Sequence, residues 1–178
     1  IMDNFLDDNL AITTPKNSKQ ENFNEVLIAN SLVDKHLIGH QTFVFPLFIY
    51  QNNKENNLFE KTGLQQANFS HKLYDNVPTG IEPERVFNYI YAILYSNIYR
   101  QKYNEFLKID FPKIPFTKNE NLFYEMAALG KELINLHLLK SEKLEKSISK
   151  FPIVGDNVVR KREYNPKEKR VFINNKQY

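Results

Sequence analysis

The chain contains no cysteine. Neither a disulfide framework nor a thiolate metal site is therefore open to it. Glycine is scarce, at five residues. No G-x-x-x-x-G-K-[ST] or G-x-G-x-x-G segment occurs, so the common glycine-rich phosphate cradles are excluded. Long apolar runs are missing too. FVFPLFIY (43–50) is the longest, far short of the ~20 residues that a membrane helix needs, so no membrane partner is expected. The opening residues, IMDNFLDDN, have neither the basic nor the apolar part of a signal peptide. A reducing, cytoplasmic setting is the expectation. Ile precedes Met at the start and the end reads as the middle of a strand, so the sequence is expected to be a piece of a longer chain, cut at both ends.

What is present is an ordinary globular composition, 42% hydrophobic and 25% charged over 178 residues, enough for a real core in one domain or two small ones. The net charge of +3 is unevenly spread. Four lysines against eight acids leave −4 over residues 1–60, while 61–150 carry +3 and 151–178 carry +4. A basic C-terminal end suits a phosphate-facing surface, and it equally suits a solvated face.

Three zones follow from the pattern. Residues 1–57 read as β-rich, with LAITT (10–14), EVLIA (25–29) and FVFPLFIY (43–50) as strands between polar stretches. Pro46 marks the third run as an edge strand or a bulge, and QNNKENN (51–57) reads as a surface loop. Residues 58–82 connect to the next zone. Residues 83–150 are helical. Pro83 suits a first helical position, and Val86, Ile90, Ile93 and Leu94 form a buried stripe. Ser96 caps a second helix in which Tyr99, Tyr103, Phe106 and Leu107 share a face. Pro112 and Pro115 end it. Thr117 and Glu120 have capping-box spacing, ahead of a helix striped by Leu122, Met126, Leu129, Leu133 and Leu136. One stripe per helix predicts a three-helix, bundle-like middle. In 151–178, NVVRKREY and KRVFIN flank the turn NPKEK, a C-terminal β-hairpin. The fold class expected is α+β.

Catalytic groupings are hard to assemble. His36 and His40 are four apart, but Gly39 and Gln41 beside them argue for a loop, and two histidines without a nearby carboxylate make a poor metal site. Asp156, Glu168 and Lys169 have the wrong spacing for a nuclease centre. Glu82/Glu84 and Glu142/Glu145 read as helix-end and solvated charges.

YIYAILYSNIYRQKYNEFLKIDFPKIPFT (89–117) and ALGKELINLHLL (128–139) resemble the C-terminal specificity region of single-chain restriction–modification enzymes, type ISP and related type IIG. GDNVVRKREYNPKEKRVFINNKQY (155–178) is similar to the strand pair that follows in that family. NLAITTPKNS (9–18) and FVFPLFIY resemble its earlier strands. Asn97 stands where the family usually has proline, Lys113 where it has arginine, and Lys16 near an expected arginine, which loses the planar two-pronged grip of guanidinium. The resemblance implies an N6-adenine methyltransferase domain, using S-adenosylmethionine, elsewhere in the parent chain, with or without a nuclease. No [DNS]-P-P-[YF] tetrapeptide or glycine-rich S-adenosylmethionine loop occurs here, so no catalytic residue or cofactor is expected in this segment. The partners implied are double-stranded DNA and the rest of the parent enzyme; a module that only docks to those other domains is the alternative.

For base reading, PKNSKQENFN (15–24) offers Lys16, Asn17, Ser18, Lys19 and Gln20, and NSLVDKHLIGHQT (30–42) offers Lys35, His36, His40, Gln41 and Thr42. Lysine suits guanine; Asn and Gln suit adenine. For phosphate contact the hairpin offers Arg160, Arg162, Lys169 and Arg170, with Arg160 and Arg162 on one face and Lys161 on the other. Within SNIYRQKYNEFLKIDFPKIPFT (96–117), the aromatic face is expected to be core, and Arg100, Lys102 and Lys108 to be solvated or to touch phosphates, so that the stretch mainly scaffolds.

Overall fold

The computed structural model describes residues 2–5, 8–51, 64–146 and 148–178. The chain forms two compact units, Ile1–Ser141 and Glu142–Tyr178. The QNNKENN reading falls, after Gln51, outside the described residues.

In the first unit, β1 (Ala11–Thr14) is the middle of a three-stranded antiparallel sheet. It pairs with β2 (Leu27–Ala29) on one side and β3 (Phe43–Pro46) on the other. All four β1 residues are buried, as a central strand covered on both faces requires. FVFPLFIY, expected as one strand, is two. Pro46 has no N–H to continue the ladder, so β3 ends there on the sheet edge. Leu47 donates to Leu10 O instead, and β4 (Phe48–Gln51) pairs with β5 (Leu64–Ala67) in a second sheet. Buried Asn9 holds the crossover: its amide donates to Asn4 O and Phe48 O and accepts from Leu10 and Phe48 N–H.

A short helix, α1 (His71–Tyr74), precedes α2 (Pro83–Tyr95), which starts on Pro83 as expected. Val86 and Leu94 are buried, together with Phe87, Tyr89, Tyr91 and Ala92. Phe87, Tyr91 and Leu94 of α2 share one core cluster with Ile12 of β1 and Ile134 of α4. Ser96 ends α2 and caps α3 (Asn97–Leu107), its Oγ accepting from Tyr99 N–H at 3.3 Å. On α3, Tyr99 and Leu107 are buried, but Phe106 is 70% exposed rather than part of the buried face.

Helix α4 (Glu120–His137) differs from expectation in its cap and in its phase. Asn119, not Thr117, is the N-cap, accepting from Leu122 N–H at 3.1 Å, while Thr117 Oγ1 accepts from Asn119 N–H. Replacing Asn119 by Ala should therefore lower stability by about 1 kcal/mol, and Thr117→Ala by less. Chemical denaturation of the two variants checks the order; a larger loss at Thr117 would restore the capping box. The buried stripe is Phe123, Ala127, Gly130 and Ile134. Leu122 and Leu129, expected inside, are 45% and 56% exposed. Gly130 lies against the Asn88 carbonyl of α2, and Tyr89 stacks on Phe123 at 4.4 Å and on Phe116 at 5.5 Å. Tyr91 bonds His137 Nδ1 at 2.7 Å, and Tyr95 donates to Val26 O, tying α2 to α4 and to the residue before β2.

The second unit holds a 3-10 turn, Glu142–Glu145, and a hairpin of β6 (Glu163–Asn165) and β7 (Arg170–Phe172). The strands are shorter than expected. The N–H groups of Arg160 and Lys161 both donate to Ile173 O, two residues against one, so the regular alternation expected for 160–162 is lost. Gln177, 1% exposed, sits at the base of the hairpin. Its side chain joins Ile153 O, Asn157 and Asn174, and Gly155 leaves room for it. The α+β class expected from the sequence holds throughout.

Candidate nucleic-acid interface

The two polar loops of the first unit are anchored, not free. In the loop after β1, Ser18 N–H donates to Leu107 O at 3.0 Å, at the end of α3. Asn104 of α3 accepts from Phe23 N–H and donates to Glu21 O. Ser18 is buried, while its neighbours Lys16, Asn17, Lys19 and Gln20 are exposed. A pinned centre with projecting flanks is a geometry suited to base-edge reading. The stretch 96–117 is therefore a platform, as the sequence suggested. Arg100 belongs to it: its Nε donates to Leu94 O at 2.6 Å and its guanidinium lies 4.4 Å over the Tyr95 ring. It clamps the α2–α3 corner rather than a phosphate. Lys108 pairs with Glu105. Phe111, between the helices, meets Phe43 and Phe45 edge-on at 5.0 and 5.6 Å and fastens the 108–116 connection to β3.

In the second loop His36 is exposed and Gln41 is exposed, but His40 is half-buried. Its Nε2 faces Glu25 Oε1 at 3.4 Å. Glu25 is 6% exposed and accepts from Ser18 Oγ at 2.5 Å. One carboxylate thus brings together residues of both loops. Ser18 and Thr42, expected from the sequence as base readers, are buried, and Ser18 holds Glu25 instead. Glu25 does not stand out in the sequence: a glutamate at the start of a strand-like run is no signal until the loops are folded. A cleft of about 340 Å³ near Phe45, Phe87 and Phe111 is lined mainly by apolar side chains, with Thr14 and Asn68 its polar members, and carries no cation for a phosphate.

In the second unit the cations split into two groups. Arg160 bonds Asp156 at 2.5 Å, Lys161 bonds Glu163 at 3.0 Å and Arg170 bonds Glu168 at 2.9 Å. Arg160's hydrogen bond, with help from Val158 N–H, holds the Asp156 carboxyl below its ordinary value. Such exposed pairs are screened by solvent and contribute little to stability, so a competing phosphate displaces them at little cost. Arg162, Lys167 and Lys169 are exposed. Lys169 stands at φ +53° in the turn.

The fold has counterparts in solved enzymes. An ATP-dependent Type ISP restriction–modification enzyme, LlaBIII bound to DNA, matches with 26% identity and a TM-score of 0.74, over 96% of this chain and 11% of its own. A DrdV–DNA complex matches with 28% identity and a TM-score of 0.56, over 73% and 12%. A nuclease-deletion mutant of the Type ISP enzyme LlaGI in complex with a DNA substrate mimic matches with 29% identity and a TM-score of 0.53, over 74% and 10%. The chain thus spans about a tenth of the length of these enzymes. No curated protein matches it. The family model described as the Type ISP C-terminal specificity domain matches residues 1–178. Matched along its whole length, and folded like segments of two Type ISP enzymes, the chain belongs to the Type ISP C-terminal specificity domain family.

Proposed function

We propose that this chain reads the base sequence of double-stranded DNA for a larger restriction–modification enzyme. The observation that carries the reading is the pair of polar loops, 15–24 and 30–42, pinned at Ser18 and His40 while Lys16, Asn17, Lys19, Gln20 and Gln41 project into solvent. Pinned loops of this kind present amide and ammonium groups at fixed positions, as discrimination between base edges demands. Arg162, Lys167 and Lys169 supply phosphate contacts, and Arg160 and Arg170 join by exchanging their carboxylates for phosphate. N6-adenine methylation with S-adenosylmethionine, and cleavage where it occurs, fall to other parts of the parent enzyme, which works in the cytoplasm with its DNA.

Duplex titration tests this. With about five phosphates engaged, affinity should fall about 500-fold between 50 and 200 mM salt. Alanine at Arg162 or Lys169 should lower the salt slope by about one each and weaken all duplexes alike. Absence of binding at low salt sinks the proposal.

A second reading, docking to the parent's other domains, has one observation in its favour. Leu122 and Leu129 are exposed on α4, beside half-buried Met126, Leu133 and Leu136. An apolar strip of that kind suits a protein neighbour rather than DNA.

A further inference from the structure

A carboxylate as enclosed as Glu25 costs free energy unless its oxygens are satisfied, and a neutral side chain would fill the same space more cheaply. Glu25 is only half satisfied. Oε2 accepts from Ser18 Oγ, whereas Oε1 and His40 Nε2 have no hydrogen bond and face each other at 3.4 Å. Among the described residues, its side-chain oxygens meet one residue from each loop, Ser18 and His40. Ser18 is held from the far side by Leu107 O, and its Oγ also accepts from Gln20 N–H at 3.2 Å. His40 is brought in by a turn in which Gly39 adopts φ +84°, a conformation that suits glycine. Below it, Thr42 closes the loop by donating from N to Lys35 O and from Oγ1 to His40 O.

Sequence adjacency gives this cluster its consequence. Asn17 and Lys19 flank Ser18, Gln20 hangs from the Ser18 hydroxyl, and Gln41 follows His40. Any movement of Ser18 or His40 carries these side chains with it. We propose that Glu25 is a positioning residue for sequence discrimination: it touches no base, and it sets the spacing between the two reading loops through Ser18 and His40. The proposal rests on the DNA-reading function above. Phosphate affinity is independent of the clip, because the hairpin cations supply it.

Selection from a pool of random duplexes, using the intact protein, tests it. The wild type defines an enriched motif, and its affinity is compared with that for a scrambled duplex. Glu25→Gln keeps an acceptor for Ser18 and removes the charge facing His40. It should lower the enriched-to-scrambled affinity ratio about tenfold, the low end of what one well-placed base contact supplies, with scrambled-duplex affinity and salt slope unchanged. Ser18→Ala, a smaller change that keeps the fold within reach should Glu25→Gln fail to fold, should lower the ratio in the same direction. A ratio unchanged in both variants overturns the positioning role while leaving DNA reading intact. Equal losses on both duplexes overturn it as well, since that is the signature of a merely structural residue. A wild-type protein that binds duplexes but enriches no motif overturns sequence reading and positioning together.

Discussion

Gly130→Ala should destabilise the protein by about 3 kcal/mol or more, although alanine is the better helix former. A Cβ at Gly130 would overlap the carbonyl oxygen of Asn88 and stand 2.7 Å from its carbon, with the Ala92 methyl at 3.3 Å. The first two are backbone atoms of α2 and cannot swing aside as the end of a long side chain can. Relief requires separating α2 from α4. Helix propensity returns only about 1 kcal/mol in favour of alanine, against ~1–3 kcal/mol, occasionally more, for forcing atoms into a packed core. The separation also loosens the Tyr89–Phe123 stack about two turns along α4, and an aromatic pair of that kind contributes a further ~0.5–1.5 kcal/mol. The denaturant midpoint should fall with little change in slope. An unchanged or raised midpoint would show that the two helices do not meet at Gly130.

Alkaline pH should unfold the protein through its buried tyrosines. Burial, helped by neighbouring Tyr103, pushes the Tyr99 hydroxyl from 10.0 up to about 12. Burial also raises Tyr91, with Tyr95 adding to it, and Tyr89. A raised folded value means that the native state keeps the proton longer than the unfolded chain does. Stability is therefore complete below pH 10 and declines as pH climbs through 10 to 12. Each tyrosine contributes a slope of ~1.4 kcal/mol per pH unit, so Tyr99 alone costs about 3 kcal/mol by the top of that window. Tyr89 and Tyr91 add with the same sign, and the Tyr99 contribution is already a sizeable part of the ~5–15 kcal/mol of a typical domain. Denaturant midpoints taken across this pH range, with tyrosinate absorbance followed in parallel, should show the fall. Tyr99→Phe should remove one proton from the slope, at a cost of about 1 kcal/mol for the lost bond to Lys113 O. A flat profile to pH 12 would mean that these hydroxyls are not enclosed.

The residues that sequence reasoning placed well are those whose meaning is local. Pro83 begins α2 because its missing N–H is no loss there, and Ser96 caps α3 through a bond three residues away. The family resemblance was carried by 89–139, where such signals are dense. The α4 stripe went astray for a tertiary reason. Leu122, Met126, Leu129, Leu133 and Leu136 mark the most apolar line on the helix, but α2 approaches along Ala127 and Gly130, where small residues let two backbones come close. The candidate site divides in the same way. Lys16, Asn17, Lys19, Gln20, Gln41, Arg162 and Lys169 are exposed where loop and turn chemistry put them. His40 is instead drawn toward Glu25, and Arg160 and Arg170 are held by Asp156 and Glu168.

By itself the amino-acid order determined the α+β class, the starts of α2 and α3, the C-terminal hairpin and the family, because period, proline, capping residues and short motifs act over a few positions of chain. Only the tertiary structure decided which face of α4 is buried, that 43–51 divides between two sheets, and that one carboxylate joins two loops. Each of those depends on atoms far apart in sequence competing for the same space, and that competition has no trace in any short stretch of residues.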